Sequence, residues 1–252
     1  MLEHPLLATL RALKLHGMAL AYADHMNAPR LVDELDFAAR LALLLEREAA
    51  ERDTRATRQR IARARLRQQA CLEDIDASAA RGIDRTLLAR LATGDWLRQG
   101  NHVLITGATG AGKTYLACAL GQQACRLGYD TLYFRVPRLL DELTTARADG
   151  TYKRLLANLA RKRLLILDDW GLAPLQELER HDLLEVIEDR HGEASTVIAS
   201  QFPVREWHAL VGDATLADAI LDRLVHRAYR INLKGESQRA LRAEKLQTDQ
   251  PV

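Results

Sequence analysis

His102-Val103-Leu104-Ile105-Thr106, followed directly by Gly107-Ala108-Thr109-Gly110-Ala111-Gly112-Lys113-Thr114, is the stretch that decides the fold. The first five residues are a β-branched, apolar run of strand length. The next eight fit G-x-x-x-x-G-K-[ST], with an additional glycine at 110. From Thr114 to Leu127 the chain reads as an amphipathic helix, so the glycine-rich turn lies between a strand and a helix. Glycines there let backbone N–H groups converge on phosphate oxygens, and the helix turns its positive amino end toward the same anion. Gly107, Ala108, Thr109, Gly110, Ala111, Gly112, Lys113, Thr114 and Tyr115 are the expected nucleotide-binding set. Lys113 is placed to reach the β- and γ-phosphates, and the Thr114 hydroxyl to bind Mg²⁺.

Around this cradle the pattern is one of short apolar runs alternating with helical segments, which signals a parallel sheet with helices on both faces. The expected strands are HVLIT (102–106), TLYFR (131–135), LLILD (164–168), TVIAS (196–200) and YRINL (229–233). Gly128 follows the helix after the cradle, Pro137 opens the next, Thr151 caps a third and Gly192 ends a fourth. Glu236 to Leu246 reads as a short charged helix. The fold class is therefore α/β, a five-stranded parallel P-loop core.

The strand at 164–167 ends in Asp168-Asp169. A carboxylate at the end of a buried strand beside the cradle can hold Mg²⁺, which is the role expected of Asp168. A second carboxylate next to it can orient the attacking water, and Asp169 is the candidate for that role. Only TLYFR lies between the two motifs in sequence, which suits ATPases that insert a further strand between them in space. Ligands of open α/β sheets bind beyond the strand carboxyl ends, so the ends of TLYFR and TVIAS project toward the site. Ser200 and Gln201 follow TVIAS, and Gln201 is preferred as the residue that senses the γ-phosphate or positions water.

Residues 5–69 contain no strand-like run, and leucine and alanine recur at helical spacing, as at Leu41, Leu44, Leu45 and Ala49. The expected organisation is a helical amino-terminal unit over 1–70, a connector with one short helix over 71–100 and the ATPase domain over 101–246. Between Arg47 and Arg67 eight arginines stand against three acids, a net of +5 over 21 residues, in a chain whose formal net charge is only +2. Such a run suits contact with nucleic-acid phosphates with little base preference, and Arg55, Arg58, Arg60, Arg63, Arg65 and Arg67 are the candidates. A merely solvated helix face is the competing reading.

No run of about 18 uncharged apolar residues is present, and the first residues lack the pattern of a secretory leader, so a cytoplasmic protein without membrane contact is expected. Cys71, Cys118 and Cys125 have no paired spacing, which argues against disulfides and zinc. In Ile220-Leu221-Asp222-Arg223-Leu224-Val225-His226-Arg227 the apolar spacing is helical and leaves Arg223 and Arg227 a turn apart. Either can serve a neighbouring subunit's γ-phosphate, or simply pair with Asp222 or Glu188.

Taken together, LITGATGAGKT (104–114), LLILDDWG (164–171), TVIASQFPV (196–204), AILDRL (219–224) and GESQR (235–239) resemble the IstB family of bacterial transposition helper ATPases, relatives of the DnaC helicase loaders. The resemblance also covers the arginine-rich helix and the LEDID connector (72–76). It implies an AAA+ fold, ATP with Mg²⁺, and assembly of several subunits on double-stranded DNA with active sites between them. It further implies stimulation of a partner transposase. Within that pattern Arg223 resembles the arginine finger and Arg239 a second sensor, with the helical lid absent or minimal. The pattern departs from many AAA+ proteins in having Asp rather than Glu at 169, from which slow, regulatory hydrolysis is expected. A DnaC-like helicase loader is the alternative function, and a small-molecule kinase is disfavoured because Asp169 suits water better than a substrate hydroxyl.

Overall fold

The computed structural model describes residues 4–28, 33–77 and 81–235. The charged segment 236–246, with Arg239, lies outside them. The chain divides into two compact units, Met1–Gln59 and Arg60–Val252.

The first unit is helical, as its leucine and alanine spacing requires: α1 (Pro5–Ala12), α2 (His16–Asn27) and the start of α3 (Phe37–Arg63). Pro5 sits in the first turn of α1, where its missing N–H costs nothing, and the His4 ring accepts the Leu6 N–H. The buried Glu48 carboxylate accepts the Gly17 N–H at 2.7 Å and the Met18 N–H at 3.1 Å, and receives Arg52 Nε at 2.7 Å. It thus satisfies orphan amides in the first turn of α2. Leu41 and Leu45 lie on α3 but remain 36% and 53% exposed.

In the second unit the segment after α3 leads to α4 (Arg85–Ala92) and α5 (Asp95–Arg98), two short helices where the connector was expected to hold one. Gly94, between them at φ +77°, is a left-handed break rather than the end of all helix. The core then alternates β1 (His102–Gly107), α6 (Lys113–Arg126), β2 (Thr131–Arg135), α7 (Val136–Ala148), α8 (Tyr152–Ala160), β3 (Leu164–Trp170), α9 (Glu177–Glu188), β4 (Ser195–Ser200), α10 (Trp207–Val211), α11 (Ala214–Val225) and β5 (Ala228–Leu233). All five expected strands are present.

They form one parallel sheet in the order β2-β3-β4-β1-β5. The strand carrying the acidic pair is thus separated from the cradle strand by β4. Alternation along the strands feeds two cores. Val103, Ile105, Ile166, Val197 and Ala199 pack on the face covered by α6, and Leu104, Leu165, Leu167 and Ile198 pack under α7, α9 and α11. Continuous apolar strands are what a sheet buried on both faces demands.

Thr151 precedes α8, yet its side chain does not cap it; the hydroxyl donates to Asp149 Oδ1 at 2.6 Å instead. Helix α11 ends at Val225, so Arg227 is past the helix rather than one turn along it, and its carbonyl accepts the His102 N–H at 3.0 Å. Among the described residues no helix is long and apolar enough to cross a membrane.

Candidate functional site

The cradle takes shape because β1 must stop where the chain turns back on itself. Gly107 leaves the strand at φ +147°, and a Cβ there would sit 2.5 Å from Leu233 O on β5. Gly112, at φ +99°, is the left-handed cap from which α6 starts at Lys113. The first amides of α6 therefore face the loop, the arrangement that binds anions. Lys113 Nζ lies over the turn, donating to Gly107 O at 2.8 Å and Ala108 O at 2.9 Å.

Opposite the loop, β3 delivers the acidic pair through an irregularity. Leu167 pairs with Ile198 but Trp170 with Ser200, so β3 carries one residue more than β4 over this interval. Asp169 takes up the extra residue at φ +60°. In a regular strand neighbours point to opposite faces, whereas a bulge re-aims one of them. Both carboxylates consequently lie within reach of a single guanidinium: Arg67 Nη1 is 4.0 Å from Asp168 Oδ2 and 3.8 Å from Asp169 Oδ2.

Asp168 is almost wholly buried. Its Oδ2 accepts the Thr114 hydroxyl at 2.7 Å and the Tyr133 hydroxyl at 2.7 Å, and its Oδ1 accepts the Asp169 N–H at 2.9 Å. Burial, and then the bond to Asp168, push the Tyr133 phenol well above its ordinary range, so it stays a donor. A carboxylate and a hydroxyl 2.7 Å apart form an all-oxygen pair that fits Mg²⁺, a hard cation that keeps several of its waters. Asp169 Oδ2 receives Arg135 Nε at 2.5 Å from the end of β2, and this partner holds the guanidinium in its charged form. Gln201 Oε1 accepts the Thr109 hydroxyl at 3.1 Å, which joins the end of β4 to the cradle. Ser200, by contrast, is buried and donates to Trp170 O at 2.8 Å, a structural role.

A cleft of about 410 Å³ opens beside these groups, within the size range of small-molecule sites. Thr109, Gly110, Gly112, Lys113, Thr114, Tyr115, Asp169 and Gln201 all contribute to it. Ile75, Ile83, Leu116 and Leu233 supply an apolar wall, and Asp74, Asp76 and Arg81 a polar rim. Arg81 Nη2 also donates to Ala111 O at 3.1 Å, which fastens the connector to the cradle. The apolar wall can take the flat face of a base while the loop takes phosphates.

A family model described as IstB-like ATP binding protein matches residues 8–246. The chain belongs to the IstB-like ATP-binding protein family. Among its relatives an insertion sequence ATP-binding protein of Sinorhizobium fredii is 51% identical over 95% of this chain and 97% of its own length. The IS21 insertion sequence ATP-binding protein of Pseudomonas aeruginosa is 32% identical over 94% of this chain and 89% of its own. Solved structures with the same fold include AMPPCP-bound DnaA from Aquifex aeolicus, with TM-score 0.57 and 19% identity over 73% of this chain and 56% of that one. The DnaC helicase loader has TM-score 0.51 and 18% identity over 70% and 99%. The fold of this IstB-like protein is thus that of an AAA+ ATPase, and ATP is its nucleotide.

The remaining candidates are spread more widely. Arg223 lies on α11 at the opposite end of the sheet from the cradle. It borders a surface cleft with His102, the first residue of β1, and donates to Glu188 Oε1 at 2.7 Å and Ala219 O at 2.8 Å. One of the simpler pairings open to it, that with Glu188, is present. Arg55, Arg58 and Arg63 are exposed on α3. The other arginines of the run fold onto the ATPase unit: Arg60 donates to Cys125 O at 2.7 Å, Arg65 is 3.9 Å from Glu142 Oε1, and Arg67 enters the nucleotide cleft. Composition put Arg67 with the DNA-facing set, and the turn after α3 takes it elsewhere. Arg67, Arg135 and Tyr133 are the site residues that sequence reasoning missed. The rule that strand ends face the ligand points to Arg135, but nothing in the basic run singles out Arg67.

Proposed function

We propose that this IstB-like protein is an ATP-gated DNA-binding helper that assembles on duplex target DNA and stimulates a partner transposase. The observation that carries the reading is the division of the catalytic set between the two ends of one sheet. The cradle, Asp168, Asp169 and Gln201 gather at the carboxyl end, while Arg223 borders the cleft beside His102 at the amino end of β1. Six residues of strand at about 3.3 Å each leave roughly 20 Å between them, too far for Arg223 to serve its own nucleotide. A site completed by a neighbour links hydrolysis to assembly. The names of the relatives, all from insertion sequences, supply the setting.

Within a bound complex Lys113 holds the β- and γ-phosphates. Thr114 and Asp168 present the two oxygens for Mg²⁺, whose chemistry would be to neutralise charge on the β- and γ-oxygens. Asp169 orients water, Gln201 reads the γ-phosphate, and Tyr115 closes the wall beside the helix start. Arg135 holds Asp169 by a charge-assisted bond, so freeing that carboxylate costs energy before it can accept a proton. Slow turnover follows, which suits a switch whose ATP-bound state does the work. Arg55, Arg58 and Arg63, exposed on α3, meet DNA phosphates.

A DnaC-like helicase loader shares this ATPase core, and the arginine-rich run favours DNA over a helicase as the primary partner. The separating experiment measures duplex binding with ADP, ATP and a slowly hydrolysed analogue, with and without a candidate partner transposase. Tight binding in ATP that weakens steeply with salt, and that Lys113→Ala abolishes, is expected. Binding that is equal in ADP and ATP, or that needs a helicase, contradicts the proposal.

A further inference from the structure

Arg67 belongs to the arginine run by sequence and to the nucleotide cleft by position, and the segment that carries it there is anchored at three points. Ala64, fully buried just after α3, gives its carbonyl to the Tyr133 N–H on the edge strand β2 at 2.9 Å. Arg65 turns the chain at φ +54°, the left-handed step that commonly follows a helix end. Leu66 then packs against α6 at Gly121, where an added Cβ would stand 2.9 Å from Leu66 Cδ2 and 2.7 Å from Ile166 Cδ1. Past this, the backbone of Arg67 and Gln68 faces the buried Cys118 thiol.

The guanidinium so delivered is 3.8 Å from Asp169 and 4.0 Å from Asp168, and its side chain is 43% exposed to the cleft. Those separations exceed hydrogen-bond length, so its attraction to the acids is coulombic, and its nearer partner is the Tyr133 hydroxyl. Arg135 already holds Asp169 Oδ2 at 2.5 Å. Arg67 therefore brings a second positive charge to the two carboxylates, at a point open to the cleft.

We propose that Arg67 is a cis-acting γ-phosphate contact that makes the site prefer ATP to ADP. The proposal rests on the reading of the cleft as the ATP site. Thr114 and Asp168 would hold Mg²⁺, which would neutralise phosphate charge, and Asp169 is the carboxylate proposed to orient water at the γ-phosphate. Arg67 stands beside Asp169, on the γ side, and a planar guanidinium can donate two parallel bonds to a terminal phosphate. ADP carries no group that reaches this point. The γ-phosphate contact is thus made by an arginine drawn from the segment that precedes the ATPase core.

The test is equilibrium binding of fluorescently labelled ADP and β,γ-methylene ATP, both with Mg²⁺, to the full chain and its variants. Arg67→Ala should weaken the ATP analogue about tenfold and ADP less than twofold, and Arg67→Lys should recover part of the loss. Equal weakening of both nucleotides, or of neither, overturns the proposal. Lys113→Ala separates the two levels: it should weaken both nucleotides, and unaltered binding by that variant would mean that the cleft itself had been misassigned.

Discussion

The two ends of the central sheet differ in how complete they are. At the carboxyl end the acidic and polar groups pair with one another: Thr114 and Tyr133 on Asp168, Arg135 on Asp169, Gln201 on Thr109. At the amino end His102 is buried with its Nδ1 accepting the Thr196 N–H at 3.1 Å, and Arg223 is parked on Glu188. The first end has a cradle and its own arginines, Arg67 and Arg135, whereas the second has a cation and no cradle. In the proposed assembly, stacking the amino end of one subunit on the carboxyl end of the next would bring Arg223 to a neighbour's cradle through one head-to-tail contact, the kind that builds rings or filaments.

Breaking the amino end should have the largest effect. Arg223→Ala should lower hydrolysis in the DNA-bound assembly by about 10³-fold, the lower bound for an arginine finger, and leave nucleotide affinity unchanged. Single-turnover hydrolysis beside equilibrium nucleotide binding reads both quantities, and a parallel loss of affinity would make Arg223 structural.

A smaller effect concerns stability at the same end. Burial, followed by the charges of Arg190 and His191, lowers the His102 pKa from 6.5 to about 4. The unfolded chain takes up this proton as pH falls below 6.5, whereas the folded chain does so only near 4. Stability attached to this group is therefore intact above pH 6.5, declines from 6.5 to 4 and levels off below, by about 3 kcal/mol in all. Denaturant midpoints at several pH values for the native chain and His102→Gln should diverge in that window. Parallel curves would refute it.

The smallest effect belongs to the carboxyl end. Tyr133→Phe removes one of three hydrogen bonds to Asp168 and should raise the Mg²⁺ concentration needed for half-maximal nucleotide binding about fivefold, near 1 kcal/mol. Nucleotide affinity without Mg²⁺ should not move. A loss that is the same with and without the cation would point to general loosening instead.

What could be read in advance follows a physical line. The cradle was legible because phosphate binding fixes residue types at fixed spacing, and the five strands because burial on both faces demands continuous apolar runs. The placement of β4 between β1 and β3 agrees with that reading. The bulge at Asp169 was not legible, since one extra residue in a strand leaves no mark in composition. In retrospect it bears on why Asp stands where many AAA+ proteins have Glu: at φ +60° a short polar side chain that can bond locally is among the few non-glycine types tolerated. Arg67 was hidden because charge counting treats a run as uniform, while the fold ends α3 at Arg63 and turns the chain two residues later. The end of α11 before Arg227 carries no glycine or proline to announce it.

The most direct test of a site shared between opposite ends of two subunits is hydrolysis by a mixture of two inactive variants on duplex DNA. Arg223→Ala keeps the cradle and acidic pair, and Asp169→Asn keeps the arginine. Mixed equally and assembled at random head to tail, roughly a quarter of the sites pair an intact acid with an intact arginine, so about a quarter of the native rate should return. A mixture no faster than its two components measured separately would contradict completion of the site by a neighbour.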